Sequence, residues 1–210
     1  MEIKVENLSK SFKKNTVLKD VNLSMTSGKI YGLSGRNGSG KSVLLKLICG
    51  LYKPTSGKVL FDGIEYNSND VYVPNLRALI EKPSFFPNLS GFENLKLLAN
   101  IQHKISDNEI NNALKVVNLY EEKDKKYSEY SLGMKQKLGI SQVIMENPQI
   151  MILDEPFNGI EVDTVKKISK YLLQEKKKNK LIIVSTHIKE DLDNLSDEIY
   201  SFDNGTVKKV

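Results

Sequence analysis

The chain has 210 residues, 40% of them hydrophobic, which excludes wholesale disorder and leaves room for a full core. Its net charge of +5 and pI near 9.0 favour acidic surroundings such as nucleotides, anionic headgroups or nucleic acid without choosing among them. One cysteine, Cys49, excludes an intrachain disulfide framework and a cysteine-rich zinc site, the usage of a reducing compartment.

Glu2, Lys4, Glu6 and Lys10 break up the first ten residues, so no signal-peptide core is predicted there and the protein is expected to stay in the cytoplasm. The best apolar run, Val43 to Tyr52, is cut by Lys46 and Gly50 and falls short of the roughly 18 to 20 residues that span a bilayer. Any membrane role is expected to come through a partner.

In chain order, Ile3, Val5 and Leu8 alternate with polar residues, Val17 to Met25 does so again, and Lys29 to Leu33 is a third strand-like run ending in a glycine-rich turn. A helix is predicted next, with Val43, Leu44, Leu47 and Ile48 on its apolar face, Gly50 as its stop and Pro54 beyond. Lys58 to Phe61 and Ile64 to Tyr66 flank Asp62-Gly63, a two-residue hairpin signal. From about Pro87 to Asn147 the pattern turns helical: Ser90 with Glu93 and Ser106 with Glu109 have capping-box spacing, and Ile110, Ala113, Leu114 and Val117 form a buried stripe. Beyond Asn147-Pro148, Ile150 to Leu153 and Leu181 to Val184 are buried strands, separated by a helix with a stripe of Val162, Val165, Ile168 and Leu172. A helical block thus interrupts an α/β pattern. The lysines from Lys176 to Lys180 are expected to be a solvated helix end, and His103 a surface residue.

Gly35-Arg36-Asn37-Gly38-Ser39-Gly40-Lys41-Ser42 matches the G-x-x-x-x-G-K-[ST] phosphate loop and lies between a predicted strand and a predicted helix. Glycines there let successive N–H groups turn toward phosphate oxygens, and the helix start adds its positive end. Lys41 is placed to reach the β and γ phosphates and Ser42 to ligate Mg²⁺. Ile150-Met151-Ile152-Leu153 ends in Asp154-Glu155; a carboxylate at the end of an apolar strand is costly unless a cation meets it. Asp154 is therefore read as the magnesium-side acid and Glu155 as the group that orients or deprotonates water, the other account being a helix N-cap before Pro156. His187 follows the strand Leu181 to Val184, Ser185 and Thr186, where parallel strand ends meet ligands.

These residues together resemble the ATP-binding subunit of ABC transporters, over essentially the whole chain. The phosphate loop and Asp154-Glu155 correspond to that family's Walker A and Walker B motifs. Tyr130-Ser131-Leu132-Gly133-Met134 stands where the family carries its LSGGQ signature; Ser131 and Gly133 match, and the other three depart. Phe12 lies where the family stacks an aromatic ring on adenine, and Asn158-Gly159-Ile160-Glu161 resembles the D-loop with Glu in place of Asp. His187 stands at the family's switch histidine. Glu81 replaces the family's usual glutamine in a loop that touches Mg²⁺; with Phe85-Phe86-Pro87-Asn88-Leu89-Ser90 after it, the stretch resembles exporters conferring lantibiotic immunity or bacitracin resistance. A salt bridge from Glu81 to Lys82 or a nearby lysine is its other reading.

The resemblance implies a single domain over 1–210: a P-loop α/β fold with a RecA-like core, an N-terminal antiparallel β subdomain and a helical subdomain inserted at about 87–147. It implies ATP and Mg²⁺ as cofactors, with Phe12, residues 35–42, Ser131 and Gly133 on nucleotide, Ser42, Glu81 and Asp154 on metal, and Glu155 and His187 in catalysis. It further implies transmembrane permease subunits, a second ATPase subunit in an ATP-dependent head-to-tail dimer, no nucleic-acid partner, and a place at the cytoplasmic face of the membrane powering peptide export. A soluble ATPase acting on ribosomes or DNA is the alternative, although such proteins carry two nucleotide domains or a long coiled coil; the ATPase of a peptide-sensing complex is another.

Overall fold

The computed structural model describes residues 1–65, 73 and 75–210. The chain opens with β1 (Glu2–Phe12) and β2 (Asn15–Thr26), an antiparallel pair, followed by β3 (Lys29–Ser34) and α1 (Lys41–Ile48). Next come β4 (Ser56–Phe61), β5 (Ile64–Glu65) and β6 (Leu76–Leu79), then the helices α2 (Gly91–Gln102), α3 (Asp107–Val116) and α4 (Leu132–Ile144). The remainder alternates as β7 (Ile150–Asp154), α5 (Val162–Lys177), β8 (Leu181–Thr186), α6 (Lys189–Asp193), β9 (Glu198–Asp203) and β10 (Thr206–Lys209).

Among the described residues the strands form a four-stranded sheet, order β2-β1-β4-β5, and a six-stranded sheet, order β10-β9-β3-β8-β7-β6. The predicted hairpin forms: Asp62 and Gly63 have φ of 49° and 81°, both positive as a tight type I′ turn requires, and Phe61 pairs with Ile64. Tyr66, at its far end, lies outside the described residues. In the larger sheet β3, β6, β7 and β8 run parallel, so their carboxyl ends meet along one edge.

Two apolar layers lie on the faces of that sheet. Ile150 and Ile152 of β7 join Leu181 and Ile183 of β8, Tyr31 and Leu33 of β3, helix α1 and the inner face of the small sheet. Met151, Leu153, Ile182, Val184 and Ile30 point the other way, to α4, α5 and the helical block. The alternation explains why these strands read as continuous apolar runs: both faces are covered, and each buried Leu or Ile contributes about 1.5–3 kcal/mol. Burial also pushes the Cys49 thiol up to about 12, which makes it an inert core residue.

Both capping boxes form, with Ser90 and Ser106 as N-caps and Glu93 and Glu109 returning the bond, and Ile110, Ala113, Leu114 and Val117 are buried as predicted. His103 is exposed at the end of α2. Two expectations need correction. The buried face of α5 is Thr164, Ile168, Leu172 and Glu175, while Val162 is 69% exposed in the first turn. The lysine run is solvated only in part: Lys177 and Lys178 are exposed, Lys178 lying 2.6 Å from Glu175, whereas Lys176 lies 2.9 Å from Asp197 and buried Lys180 pairs with Glu175 and Asn147 as the chain enters β8.

Candidate active site

The site lies where β3, β7 and β8 end. Past Ser34 the chain enters the loop Gly35–Gly40, which leads directly into α1 at Lys41. Gly40 caps the helix at φ 107°, and a Cβ there would lie 2.7 Å from Leu18 Cδ2; at Gly35, φ 148°, it would lie 2.8 Å from the Phe202 carbonyl. Glycine is required at both for conformation and for space.

The loop folds around its own lysine. Lys41 Nζ donates to the carbonyls of Gly35 at 2.6 Å and Arg36 at 3.3 Å, and lies 3.7 Å from Glu155 Oε1. The Ser42 hydroxyl donates to Asp154 Oδ2 at 2.5 Å, tying the first turn of α1 to the end of β7. The other oxygen of Asp154 accepts from Ser185 Oγ, its register partner on β8. Asp154, 4% exposed, thus has both oxygens held by hydroxyls.

Glu155 sits in the left-handed region at φ 47°, which costs a residue with a Cβ about 1–2 kcal/mol. It is not a helix N-cap; α5 starts only at Val162. Its N–H donates to the Ser185 carbonyl at 2.9 Å, its carbonyl accepts from Gln136 Nε2 at 3.1 Å, and its Oε2 lies 2.9 Å from His187 Nδ1. Burial, with the charges of Glu190 and Glu155, raises the Asp191 carboxyl above its ordinary value, while His187 opposes the rise. Of these acids Glu155 faces the Lys41 ammonium, while Glu190 and Asp191 lie on α6 beyond β8.

Two cavities share Gly35, Arg36 and Asn37. One, of about 770 Å³, is walled by Asn15–Val17, the loop through Ser39, and the turn at 203–205. The other, of about 460 Å³, has His187 and Lys189 on its far side. Ser39 Oγ is buried without a hydrogen-bond partner. A polar atom left so beside a glycine loop fits a phosphate oxygen, as do the Lys41 ammonium and the α1 N-terminus. Among the described residues no three or more His, Cys, Asp and Glu cluster so as to hold a metal unaided. Ser42 and Asp154 are oxygen donors of the kind that hold Mg²⁺ together with phosphate oxygens, so the residues fit a magnesium nucleotide.

The other predicted residues lie apart from this centre. Phe12, 40% exposed at the end of β1, packs edge-on against Tyr52 with ring centroids 5.5 Å apart, beside the larger cavity and not in its wall. Ser131 caps α4, accepting the Met134 N–H at 3.2 Å, and Gly133 packs so tightly on the D-loop-like turn that a Cβ would lie 2.2 Å from the Gly159 carbonyl. Glu81, at φ 65°, turns its carboxylate to Lys46 Nζ at 2.5 Å, one helical turn along α1 from Ser42. Of its two expected partners, the nearby lysine is the one it meets in this structure, and that lysine is Lys46, not Lys82. The hydrogen bond that Lys46 donates to Glu81 raises its ammonium above the ordinary value.

Sequence reasoning missed Ser185, Gln136, Lys137 and Lys46. Ser185 carried a usable signal, a hydroxyl ending an apolar strand beside the strand that ends in Asp154. The others are tertiary partners with no local mark.

A phosphate loop at one strand end, with its acidic partner on a parallel strand of the same sheet, defines a phosphate-loop nucleoside triphosphatase. A family model described as ABC transporter matches residues 18–158, and the chain belongs to that family, as an ATP-binding subunit that hydrolyses ATP with Mg²⁺. It is 40% identical over 199 residues to the bacitracin transport ATP-binding protein BcrA of Enterococcus faecalis, covering 94% of this chain but 65% of that protein. It is 34% identical to the lantibiotic transport ATP-binding protein SrtF of Streptococcus pyogenes, over 94% of this chain and 85% of the relative. In structure it is similar to an ATP-binding subunit of an ABC transporter, with TM-score 0.88, 28% identity, and 100% and 90% of the two chains covered. A bacterial ABC transporter cassette solved as a dimer matches with TM-score 0.88 and 25% identity, covering 98% and 96%. Among the described residues no helix is long and apolar enough to cross a membrane.

Proposed function

We propose that this chain powers a separate transmembrane permease that exports an antimicrobial peptide of the bacitracin or lantibiotic kind, working at the cytoplasmic face of the membrane as an ATP-dependent dimer. The observation that carries the ATPase centre is the meeting of Lys41, Ser42, Asp154, Glu155 and His187 at the ends of β3, β7 and β8. The peptide class is supported by the relatives named for bacitracin and lantibiotic transport, and the dimer by the similar cassette solved as one. Residues 1–210 are read as one nucleotide-binding domain, with about 87–147 as its helical subdomain.

The amides of residues 35–40 and the start of α1 bind the phosphates, with Phe12 offering a ring to the base. Lys41, whose ammonium donates to the Gly35 and Arg36 carbonyls, exchanges those acceptors for phosphate oxygens and neutralises charge between the β and γ positions. Ser42 and Asp154, with Glu81 in addition, would hold Mg²⁺, which supplies charge neutralisation at the phosphate oxygens. Glu155 orients the attacking water and takes its proton at a carboxylate oxygen, and His187 fixes that carboxylate through Oε2 while facing the γ-phosphate. Ser131 and Gly133 present the α4 N-terminus to the nucleotide of the second subunit.

The test is an affinity pull-down of this chain from detergent-solubilised native membranes with ATP present, read by mass spectrometry. Polytopic membrane proteins are the expected co-purifying chains, and their deletion should sensitise cells to the peptide. Recovery of ribosomal proteins or DNA in their place overturns the transporter assignment.

A further inference from the structure

We propose that the first two turns of α4 hold Glu155 and the turn after it in working position, with Gln136 and Lys137 as positioning residues for hydrolysis. The inference rests on the assignment of Glu155 as the group that activates water.

Gly133, Gln136 and Lys137 are spaced i, i+3 and i+4, so they share one face of α4. Each grips the segment that follows β7. Gly133 lies against the Gly159 carbonyl so closely that a Cβ would be 2.2 Å from it. Gln136, 7% exposed, donates from Nε2 to the Glu155 carbonyl at 3.1 Å. Lys137, 6% exposed, reaches Glu161 Oε2 at 2.6 Å. One rigid helical face thus holds residues 155, 159 and 161 together.

The grip has a purpose that packing alone does not require. Among the described residues, most non-glycine positions with positive φ are Asn or Asp, whose short side chains tolerate it; Glu155, at φ 47°, is not of that kind. A strained backbone persists where its surroundings over-determine it, and here the Ser185 carbonyl takes the Glu155 N–H while Gln136 takes its carbonyl. Gln136 is also an uncharged donor, so it fixes the backbone of Glu155 without drawing charge from its carboxylate. Ser131, the cap of the same helix, begins the element that Gln136 ends on Glu155. Whatever docks on the α4 N-terminus is therefore joined through one turn of helix to the acid of the site.

The test uses the whole chain with Gln136→Leu, Lys137→Met, Lys137→Arg and, in parallel, Glu155→Gln. ATP affinity is read by calorimetry, and kcat and KM by phosphate release. The expected result for Gln136→Leu and Lys137→Met is a fall in kcat of at least about tenfold with KM and affinity within about twofold, since misplacing a general base removes only transition-state interactions. Lys137→Arg, which keeps the donor to Glu161, should recover kcat to within about threefold of the original. If Gln136→Leu does not fold, Glu161→Gln at the exposed end of the pair carries the same expectation. Unchanged kcat in Gln136→Leu and Lys137→Met, with Glu155→Gln inactive, overturns the positioning role alone. A Glu155→Gln protein as active as the original overturns the assignment of Glu155 and this inference with it.

Discussion

Glu155 Oε2 and His187 Nδ1 lie 2.9 Å apart, joining the end of β7 to the residue that follows β8. The other carboxylate oxygen makes no hydrogen bond and faces Lys41 Nζ at 3.7 Å. One oxygen is thus fixed by the imidazole, and the other is buried toward the lysine of the phosphate loop. Glu155→Gln keeps the size of the side chain and removes its basicity. Hydrolysis should drop at least about 100-fold while ATP still binds, and size-exclusion chromatography with saturating ATP should show a trapped dimer. A protein that stays monomeric there counts against the paired-subunit mechanism.

His187 tests the same contact from its other end. Its side chain is 43% exposed, so removing it leaves little buried void, and His187→Ala should fold with a melting temperature close to the original. The rate should fall by roughly 10- to 100-fold with KM little changed, because the interaction lost is with the group that acts in the transition state. Steady-state phosphate release decides it; a rise in KM at constant kcat would place His187 in ground-state binding.

How much of this was legible in the residues depends on how local each feature is. The phosphate loop, the Asp62-Gly63 turn and the two capping boxes are written within a few consecutive positions, and each is found where spacing put it. The stripe on α5 was misread because two members of its buried face are polar. Thr164 accepts from Asn118 at 3.1 Å and Glu175 takes two lysines, so neither shows in a pattern of apolar residues. Lys46 and Glu81 meet only because α1 lies beside the end of β6, a relation no spacing announces, and Lys137 finds Glu161 in the same way.

The Lys46 to Glu81 pair makes a prediction about magnesium. Glu81 is 64% exposed, so the pair contributes only about 0–1 kcal/mol to folding and can open without unfolding cost. A carboxylate is a harder Mg²⁺ ligand than an amide. Glu81→Gln should keep ATP binding and raise the Mg²⁺ concentration for half-maximal hydrolysis, whereas Lys46→Met, which releases the carboxylate, should lower it. Melting temperatures should move little in either. Superimposable Mg²⁺ titrations in all three proteins would remove Glu81 from the metal site.

Acid should unfold the protein through a definable set of glutamates. Hydrogen bonds with Ser90, Ser106, Lys137 and Lys29 lower Glu93, Glu109, Glu161 and Glu198 respectively below 4.5. Burial would raise Glu175, but hydrogen bonds from Lys178 and Lys180 outweigh it and the net shift is also downward. A carboxyl lowered by folding binds protons less readily in the native state than in the unfolded chain. Its contribution is fully present above the unfolded value near 4.5 and is lost as pH falls through the lowered native values. Thermal melts should therefore be flat for these groups from pH 7 to about 5 and fall steeply below about 4.5. Glu175 is the one buried among lysines, so Glu175→Gln should cost stability at pH 7 by leaving the buried Lys180 ammonium with Asn147 but without its counter-ion, and should flatten the acid limb. Equal acid slopes in the two proteins would show that the Glu175 cluster titrates alike in the folded and unfolded chains.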